Sequence, residues 1–96
     1  MISGVTSTGF AFEYDPARLD DFRFVDVLAV VADPEAGYLD KLKGLSTLVT
    51  MLLGPELKKA LYAHIGERHE GRVPRADLEA AMEEIMNAAG KDAEKN

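Results

Sequence analysis

Apolar and polar residues alternate near the start of the chain, in the segment TSTGFAFEYD at positions 6–15. Phe10, Phe12 and Tyr14 fall on one side of this alternation, and a period of two with aromatic residues predicts a β-strand. Pro16 ends the strand because proline has no backbone N–H to donate to a ladder. A lone strand is only marginally stable and needs a partner. That partner is either the preceding segment, as a hairpin with a weak turn signal, or a strand of another molecule.

The next segment has the period of an α-helix. A helix is predicted over positions 21–32, where an aspartate caps its start and Asp33-Pro34 ends it. Its predicted buried face recurs at i, i+3, i+6, i+7 and i+10, and consists of Phe22, Val25, Leu28, Ala29 and Ala32. Three further residues widen that face, namely Phe24, Val27 and Val31.

Two more helices are predicted between Tyr38 and Gly66, with a break at Gly54-Pro55. Gly54 suits a left-handed C-terminal cap, and Pro55 suits the first turn of the following helix. Gly44, inside the first of these helices, is about 1 kcal/mol less favourable than alanine, which predicts a weak or bent helix at that point.

A final helix is predicted after Val73-Pro74, with Gly90 as its cap. Its apolar face is Leu78, Ala81, Met82, Ile85 and Ala89. The patterns together predict a mainly α fold, a small bundle of about four helices with an N-terminal β-strand or hairpin. We expect one domain over residues 1–96, with flexible ends at 1–8 and 91–96.

Charge and composition restrict the classes of partner. The chain of 96 residues has 11 lysines and arginines against 17 aspartates and glutamates, a net charge of −6, and no cysteine. An acidic surface argues against binding to nucleic acid or to an anionic membrane. Without cysteine there is no disulfide and no thiolate-ligated zinc. The start of the chain lacks the basic and apolar regions of a signal peptide, and the absence of cysteine permits a reducing cytoplasm.

The segment HEGRVPRADLE, at positions 69–79, has the outline of a calcium-binding EF-hand loop. With Gly71 as the loop glycine at position 6, Gly66 and Arg68 fall at positions 1 and 3, where calcium requires oxygen ligands. Asp77 falls at position 12, where a bidentate glutamate is needed. We therefore interpret this segment as a structural junction that orients the last helix.

No other motif indicates catalysis or a cofactor. His64 and His69 are five positions apart, so they do not share a helix face as a zinc pair would. No serine has a nucleophile motif, and no glycine-rich phosphate loop occurs. Glu79 and Glu83 are interpreted as a solvated helix face. We expect a protein with no catalytic residues, no metal site and no cofactor.

The remaining candidate sites are surfaces for interaction with other proteins. The segment LSTLVTMLLG, at positions 45–54, is more apolar than a small bundle needs for its core. Most of it is expected in the core, and Leu48, Met51 and Leu53 are the candidate contacts to a partner. The aromatic side of the strand, Phe10, Phe12 and Tyr14, is the candidate surface for self-association, because strand edges invite pairing by another chain.

Two segments carry a resemblance to a known family: LVTMLLGPELKKALYAHI, with its apolar helix ending in LLGPE, and EGRVPRADLEAAMEEIMNAAG, with its GRVP turn into an amphipathic helix. The chain resembles the tail assembly chaperones of long-tailed (siphovirus) bacteriophages and prophages. The resemblance implies a non-enzymatic, mainly helical protein that binds and shields the tape measure protein before the tail tube polymerises.

The same resemblance implies a setting and further partners. It implies the cytoplasm of the bacterial host, self-association, contact with the major tail protein, and a longer product made by programmed ribosomal frameshifting. The alternative function is a degenerate EF-hand-like helical adaptor or regulator that works without calcium.

Overall fold

Two short strands and three helices follow one another along the chain, in a computed structural model that describes residues 1–95 and the side chains of residues 1–90. The elements are β1 (Ile2–Val5), β2 (Ala11–Tyr14), a 3₁₀ helix (Pro16–Asp20), α1 (Phe22–Ala32), α2 (Tyr38–Gly66) and α3 (Arg75–Lys95). The mainly α class with an N-terminal hairpin is confirmed, and the described residues form three helices rather than about four. Within residues 1–95, none of these helices combines the length and apolar character needed to cross a membrane.

The two strands pair with each other in an antiparallel hairpin. Ile2 lies opposite Tyr14, and Val5 lies opposite Ala11. In the turn, the Gly9 N–H donates to the Thr6 carbonyl at 2.9 Å, and Gly9 has a φ of 97°, which glycine adopts without strain. The strand partner is thus the preceding segment of the same chain. Four of the residues in the segment 1–8, for which flexibility was predicted, form β1 and pair with β2.

Helix α1 packs against α2 through only one side of the wide face predicted for it. Phe22 is 72% exposed, and Ala29 and Ala32 are also exposed. The contact face instead follows i, i+3, i+4 and i+7, and consists of Phe24, Val27, Leu28 and Val31. Both sets fit a helical period because α1 is apolar on most of its circumference.

The N-terminus of α1 is held by a local cap. The Asp21 carboxylate accepts a hydrogen bond from the Arg23 backbone N–H at 2.9 Å and an ion pair from the Arg23 guanidinium at 2.8 Å. These hydrogen bonds, the side-chain one first, lower the pKa of Asp21 below its ordinary value. The predicted capping role of an aspartate at this helix start is therefore present in the structure.

Gly44 allows α1 to lie close to α2. A Cβ atom at this buried position would be 2.8 Å from Cγ2 of Val31 and 3.6 Å from Cγ1 of Val27. Carbon atoms do not approach to 2.8 Å without displacement, so the absence of a side chain determines how near the two helices come. Gly44 therefore reflects helix packing, and the backbone of α2 stays helical there.

Helix α2 bends sharply at Gly54, where φ is 82° and ψ is 166°. The predicted break at Gly54-Pro55 is found there, although Gly54 has an extended ψ and does not form a left-handed cap. The bend divides α2 into a first arm, residues 38–53, and a second arm, residues 55–66. Pro55 favours the break because it has no N–H to continue the helical ladder.

Hydrogen bonds from two side chains, Lys58 of α2 and Arg18 of the 3₁₀ helix, stabilise the bend. Lys58 Nζ on the second arm donates to the Ser46 carbonyl at 3.1 Å and to Thr50 Oγ1 at 2.8 Å on the first arm. In a straight helix, residues as far apart as Ser46 and Lys58 would be separated by about 18 Å. Arg18 Nη1 donates to the Leu52 carbonyl at 2.9 Å, which satisfies a group near the end of the first arm.

Helix α3 packs against β1 and α2 and closes the core. The largest fully buried side chains come from β2 and all three helices, and are Tyr14, Phe24, Leu48, Leu52, Leu61, Ile85 and Val49. The helix continues through Gly90, so the predicted cap at Gly90 is wrong. The predicted flexible segment 91–96 lies outside the residues whose side chains the structure describes.

The contact at Gly44 predicts opposite effects for two glycine-to-alanine substitutions. Gly44→Ala gains helix propensity of up to about 1 kcal/mol but overpacks against Val31, which typically costs about 1–3 kcal/mol. Gly90→Ala is the matched control, because a Cβ there meets nothing within 4 Å. We expect urea unfolding to show a loss of stability for Gly44→Ala and no loss or a gain for Gly90→Ala. Equal stabilisation by both substitutions would contradict the close approach of α1 to α2.

Candidate functional site

An open apolar groove runs between α1 and α3 across the first arm of α2. Leu28 and Val31 of α1 form one wall, and Leu45 and Leu48 of α2 form the floor. The other wall belongs to α3 and consists of Glu79, Met82, Glu83, Met86 and Asn87. The groove encloses about 250 Å³, which is small for a drug-sized ligand but open along its length.

The spacing of the lining residues explains why they meet. Leu28 and Val31 are at i, i+3 on the packed face of α1, and Met82 and Met86 are at i, i+4 on α3. Both helices contact α2, but α1 has no extensive contact with α3, so the walls remain apart. The two methionines make one wall adaptable, because the unbranched thioether side chain fits partners of different shape.

Carboxylates follow the outer side of the α3 wall. Glu79, Glu83 and Asn87 succeed one another at intervals of four residues, so they form one ridge beside the methionines. Glu79 Oε1 pairs with Arg75 Nε at 2.8 Å, and the Arg75 guanidinium also lies 5.4 Å from the centre of the Tyr38 ring. Glu83 has no ion pair within the part of the chain whose side chains are described. One wall of the groove is therefore negatively charged.

Comparisons with known proteins add no relative of this chain. None of the protein-family models, curated proteins and solved structures matches it. The groove has an apolar floor between two helical walls. A second depression, which Val27 and Val30 of α1 line, is more open and mixes acidic and basic groups, from Asp26, Asp40 and Lys43.

The predicted partner contacts lie deeper than expected. Leu48 is 2% exposed and Leu53 is buried, while Met51 is half-buried and packs against the core. The expectation that Leu48 and Leu53 project from the surface is therefore corrected, because both side chains belong to the core that the hairpin and the helices share. Leu48 still reaches the candidate site, since it forms part of the groove floor.

The predicted self-association residues are also buried. Phe10, Phe12 and Tyr14 face the helices, and the strand that carries Phe12 and Tyr14 already pairs with β1. The Tyr14 hydroxyl donates to the Ile85 carbonyl of α3 at 2.7 Å, and the Phe10 ring lies 5.7 Å from the His64 ring. These aromatic side chains attach the hairpin to α2 and α3. The prediction that they form an exposed surface for self-association is therefore corrected.

The hairpin turn is tied to the helices by polar contacts. The Ser7 backbone N–H and hydroxyl donate to the two Glu84 carboxylate oxygens at 2.9 and 3.1 Å. Thr8 Oγ1 and His64 Nε2 form a hydrogen bond of 3.1 Å. Glu84 was not predicted to have this role, because the sequence shows only an acidic residue on the polar face of a helix. The contacts make Glu84 and His64 structural residues of the hairpin interface.

The other histidine belongs to the junction between α2 and α3. His69 Nε2 lies 2.7 Å from Asp77 Oδ2, and the Arg68 guanidinium lies 3.8 Å from the same oxygen. Asp77, the residue aligned with loop position 12 of an EF-hand, is therefore engaged by nitrogen groups. Among the described residues, no group of three or more histidines, aspartates and glutamates is arranged to hold a metal ion.

Tyr14 predicts a dependence of stability on alkaline pH. Burial raises the pKa of Tyr14, and the nearby Ala89 backbone opposes that rise with a smaller effect. A raised pKa in the folded state means that the contribution of Tyr14 is complete below its unfolded pKa of about 10 and is lost as pH rises through the folded value.

The test compares Tyr14→Phe with the native chain by denaturant titration at several pH values. At pH 7 the substitution should cost about 1 kcal/mol, because the hydrogen bond to Ile85 is lost. Above pH 10 the difference should shrink, since phenylalanine does not titrate. Tyr62→Phe is the control, because Tyr62 is half-buried and its hydroxyl has no hydrogen bond within residues 1–90. A constant difference at all pH values would contradict the buried, neutral phenol.

Proposed function

We propose that this protein is a tail assembly chaperone of a long-tailed bacteriophage or prophage. In this role it binds helical segments of the tape measure protein before the tail tube polymerises. The observation that supports the proposal best is the open apolar groove between α1 and α3, which provides a site for a protein segment. The resemblance of the LLGPE and GRVP segments to that family supports it independently.

The dimensions of the groove suit a helix. The ridge from Glu79 to Asn87 covers nine residues of α3, a length of about 12 Å or two helical turns. A guest helix of that length presents apolar side chains at i, i+3 or i+4, and i+7, which is the pattern used when an amphipathic helix binds in a groove. The half-buried wall residues Leu28, Val31 and Met86 would contact the apolar side of the guest, above the floor formed by Leu45 and Leu48.

The proposed role needs binding without chemistry. The polar groups that could suggest chemistry make hydrogen bonds within the fold, and we assign structural roles to Glu84, His64, His69 and Asp77. The net charge of −6 favours solubility, a requirement for a protein that shields an apolar client. We place this activity in the cytoplasm of the bacterial host, where the tail assembles.

Contacts between copies and with the major tail protein are part of the same proposal. Phe22, on the outer side of α1, is an exposed apolar side chain available for such contacts. It replaces the aromatic side of β2 as the candidate position, since that side is buried. Among residues 1–90, no contact favours the alternative of an EF-hand-like adaptor.

Substitutions in the two walls of the groove test the proposed function. The double variant Leu28→Gln/Met86→Gln keeps side-chain size but makes both half-buried walls polar. Burial of one apolar side chain contributes about 1.5–3 kcal/mol, so we expect client affinity to fall by roughly one to three orders of magnitude. The measurement is co-expression with the long tape measure protein that the proposal expects to be encoded beside this chain, followed by co-purification and a solubility assay of that protein.

The matched control is Val5→Gln/Leu39→Gln. Both residues are apolar and lie outside the groove, and their exposed fractions are 67% for Val5 and 68% for Leu39. The control should retain the client at the native level. Retention by the groove variant as well would refute binding at this site, and circular dichroism checks that both variants fold.

A further inference from the structure

We propose that the segment bound in the groove is an amphipathic helix with lysine or arginine residues one turn apart beside its apolar stripe. This inference deepens the proposed function and rests on it. It identifies the chemistry of the client segment, which the presence of an apolar groove alone does not specify. The argument depends on how charge is distributed between the two walls.

The two walls differ in charge. The α1 wall contributes only the aliphatic side chains of Leu28 and Val31. The α3 wall carries Glu79 and Glu83 beside its methionines, with Asn87 continuing the ridge. A guest helix therefore meets an aliphatic surface on one flank and carboxylates on the other. Basic residues on the flank that faces α3 would complement this arrangement.

The availability of the carboxylates identifies the stronger position. Arg75 already pairs with Glu79, so this carboxylate is partly neutralised. Glu83 is exposed and forms no ion pair among residues 1–90, and it lies next to both methionines of the wall. Glu83 is thus the principal acceptor for a basic group on the guest, and Glu79 is the second.

The spacing of the acceptors specifies the spacing of the donors. Residues four apart on a helix are separated by about 6 Å along its axis. Basic residues at i and i+4 of a guest helix that lies along α3 would reach Glu79 and Glu83 together. An acidic guest would instead place carboxylates against carboxylates beside an apolar surface, which is unfavourable for binding. The groove therefore selects for charge as well as for an apolar stripe.

Three synthetic peptides test this inference with the full chain. Each is a helical peptide of about 18 residues with the same leucine stripe, and the flanking positions i and i+4 are lysine, glutamine or glutamate. Fluorescence anisotropy at low salt should rank the affinities as lysine above glutamine above glutamate. Exposed ion pairs of this kind change affinity by up to about fivefold each, so the lysine peptide should exceed the glutamine peptide by about three- to tenfold. The difference should diminish in 0.5 M salt, where charges are screened.

Two variants locate the charge effect. Glu83→Gln should reduce the preference for lysine over glutamine by at least half. Glu13→Gln is the control, because this substitution removes the same charge from an exposed carboxylate on β2 that lies outside the groove. An equal reduction by both variants would mean that the preference reflects only the net charge of the protein, which would overturn the inference.

The remaining outcomes separate this inference from the proposed function. If the three peptides bind equally and the Leu28→Gln/Met86→Gln variant weakens all of them, the groove binds helices without selecting charge, and the inference fails alone. If no peptide binds while the tape measure protein still co-purifies, the client uses a different surface and the inference fails. If neither the peptides nor the tape measure protein bind, both proposals fail.

Discussion

The break in the backbone of α2 at Gly54 and Pro55 is the constraint on which the rest of the structure depends. A helix that bends sharply releases carbonyl groups that must find other donors. The guanidinium of Arg18, which precedes α1, donates a hydrogen bond to the Leu52 carbonyl. The Lys58 side chain on the second arm donates to the Ser46 carbonyl on the first arm and so joins the two arms. The bend is therefore supported by residues from separate parts of the chain. It brings the apolar faces of both arms into the same core, where Leu48, Leu52 and Leu61 are fully buried.

The groove follows from how the other elements occupy the surface of this bent helix. The first arm holds α1 at the short distance that Gly44 permits, and the second arm leads through the junction into α3. The hairpin packs against both α2 and α3, so it fills one side of the gap between these helices. Tyr14 and Ser7 fix it there by hydrogen bonds to α3. The side towards α1 receives no such element, and the floor formed by Leu45 and Leu48 is left between two walls.

Local signals made part of this fold predictable. The Gly54-Pro55 pair identified the bend, and the clean i, i+3, i+4, i+7 pattern of α3 identified its buried face, because both depend on residues near in sequence. The predicted face of α1 was too wide, since two apolar sets fit one helical period and only Phe24, Val27, Leu28 and Val31 of that face contact the core. The hairpin was left open because its turn has a single glycine, Gly9, rather than a strong two-residue signal.

The candidate site was harder to predict from the sequence, because it also depends on contacts between residues that are distant along the chain. A surplus of apolar residues at positions 45–54 indicated that something beyond core packing was present, but the bend decides which side each residue faces. Leu48 reaches the groove only as part of its floor, and the walls come from α1 and α3, which are about 50 residues apart in the sequence. The apolar period of each helix predicts its own buried face, but it does not predict a groove between two helices that are distant along the chain.

The size of the groove constrains how a chaperone of this kind would hold a long client. A contact of about two helical turns buries roughly a few hundred Å², well below the 1,200 Å² or so typical of a stable one-to-one interface. Each site would therefore bind weakly, and a long client would be retained through many copies bound along its length. Because each copy carries a charge of −6, neighbouring copies repel one another. Basic residues on the client would offset that repulsion at every site. The acidic surface of the protein would therefore have two effects: it favours a basic client in the groove, and it makes neighbouring copies depend on that client to lie side by side.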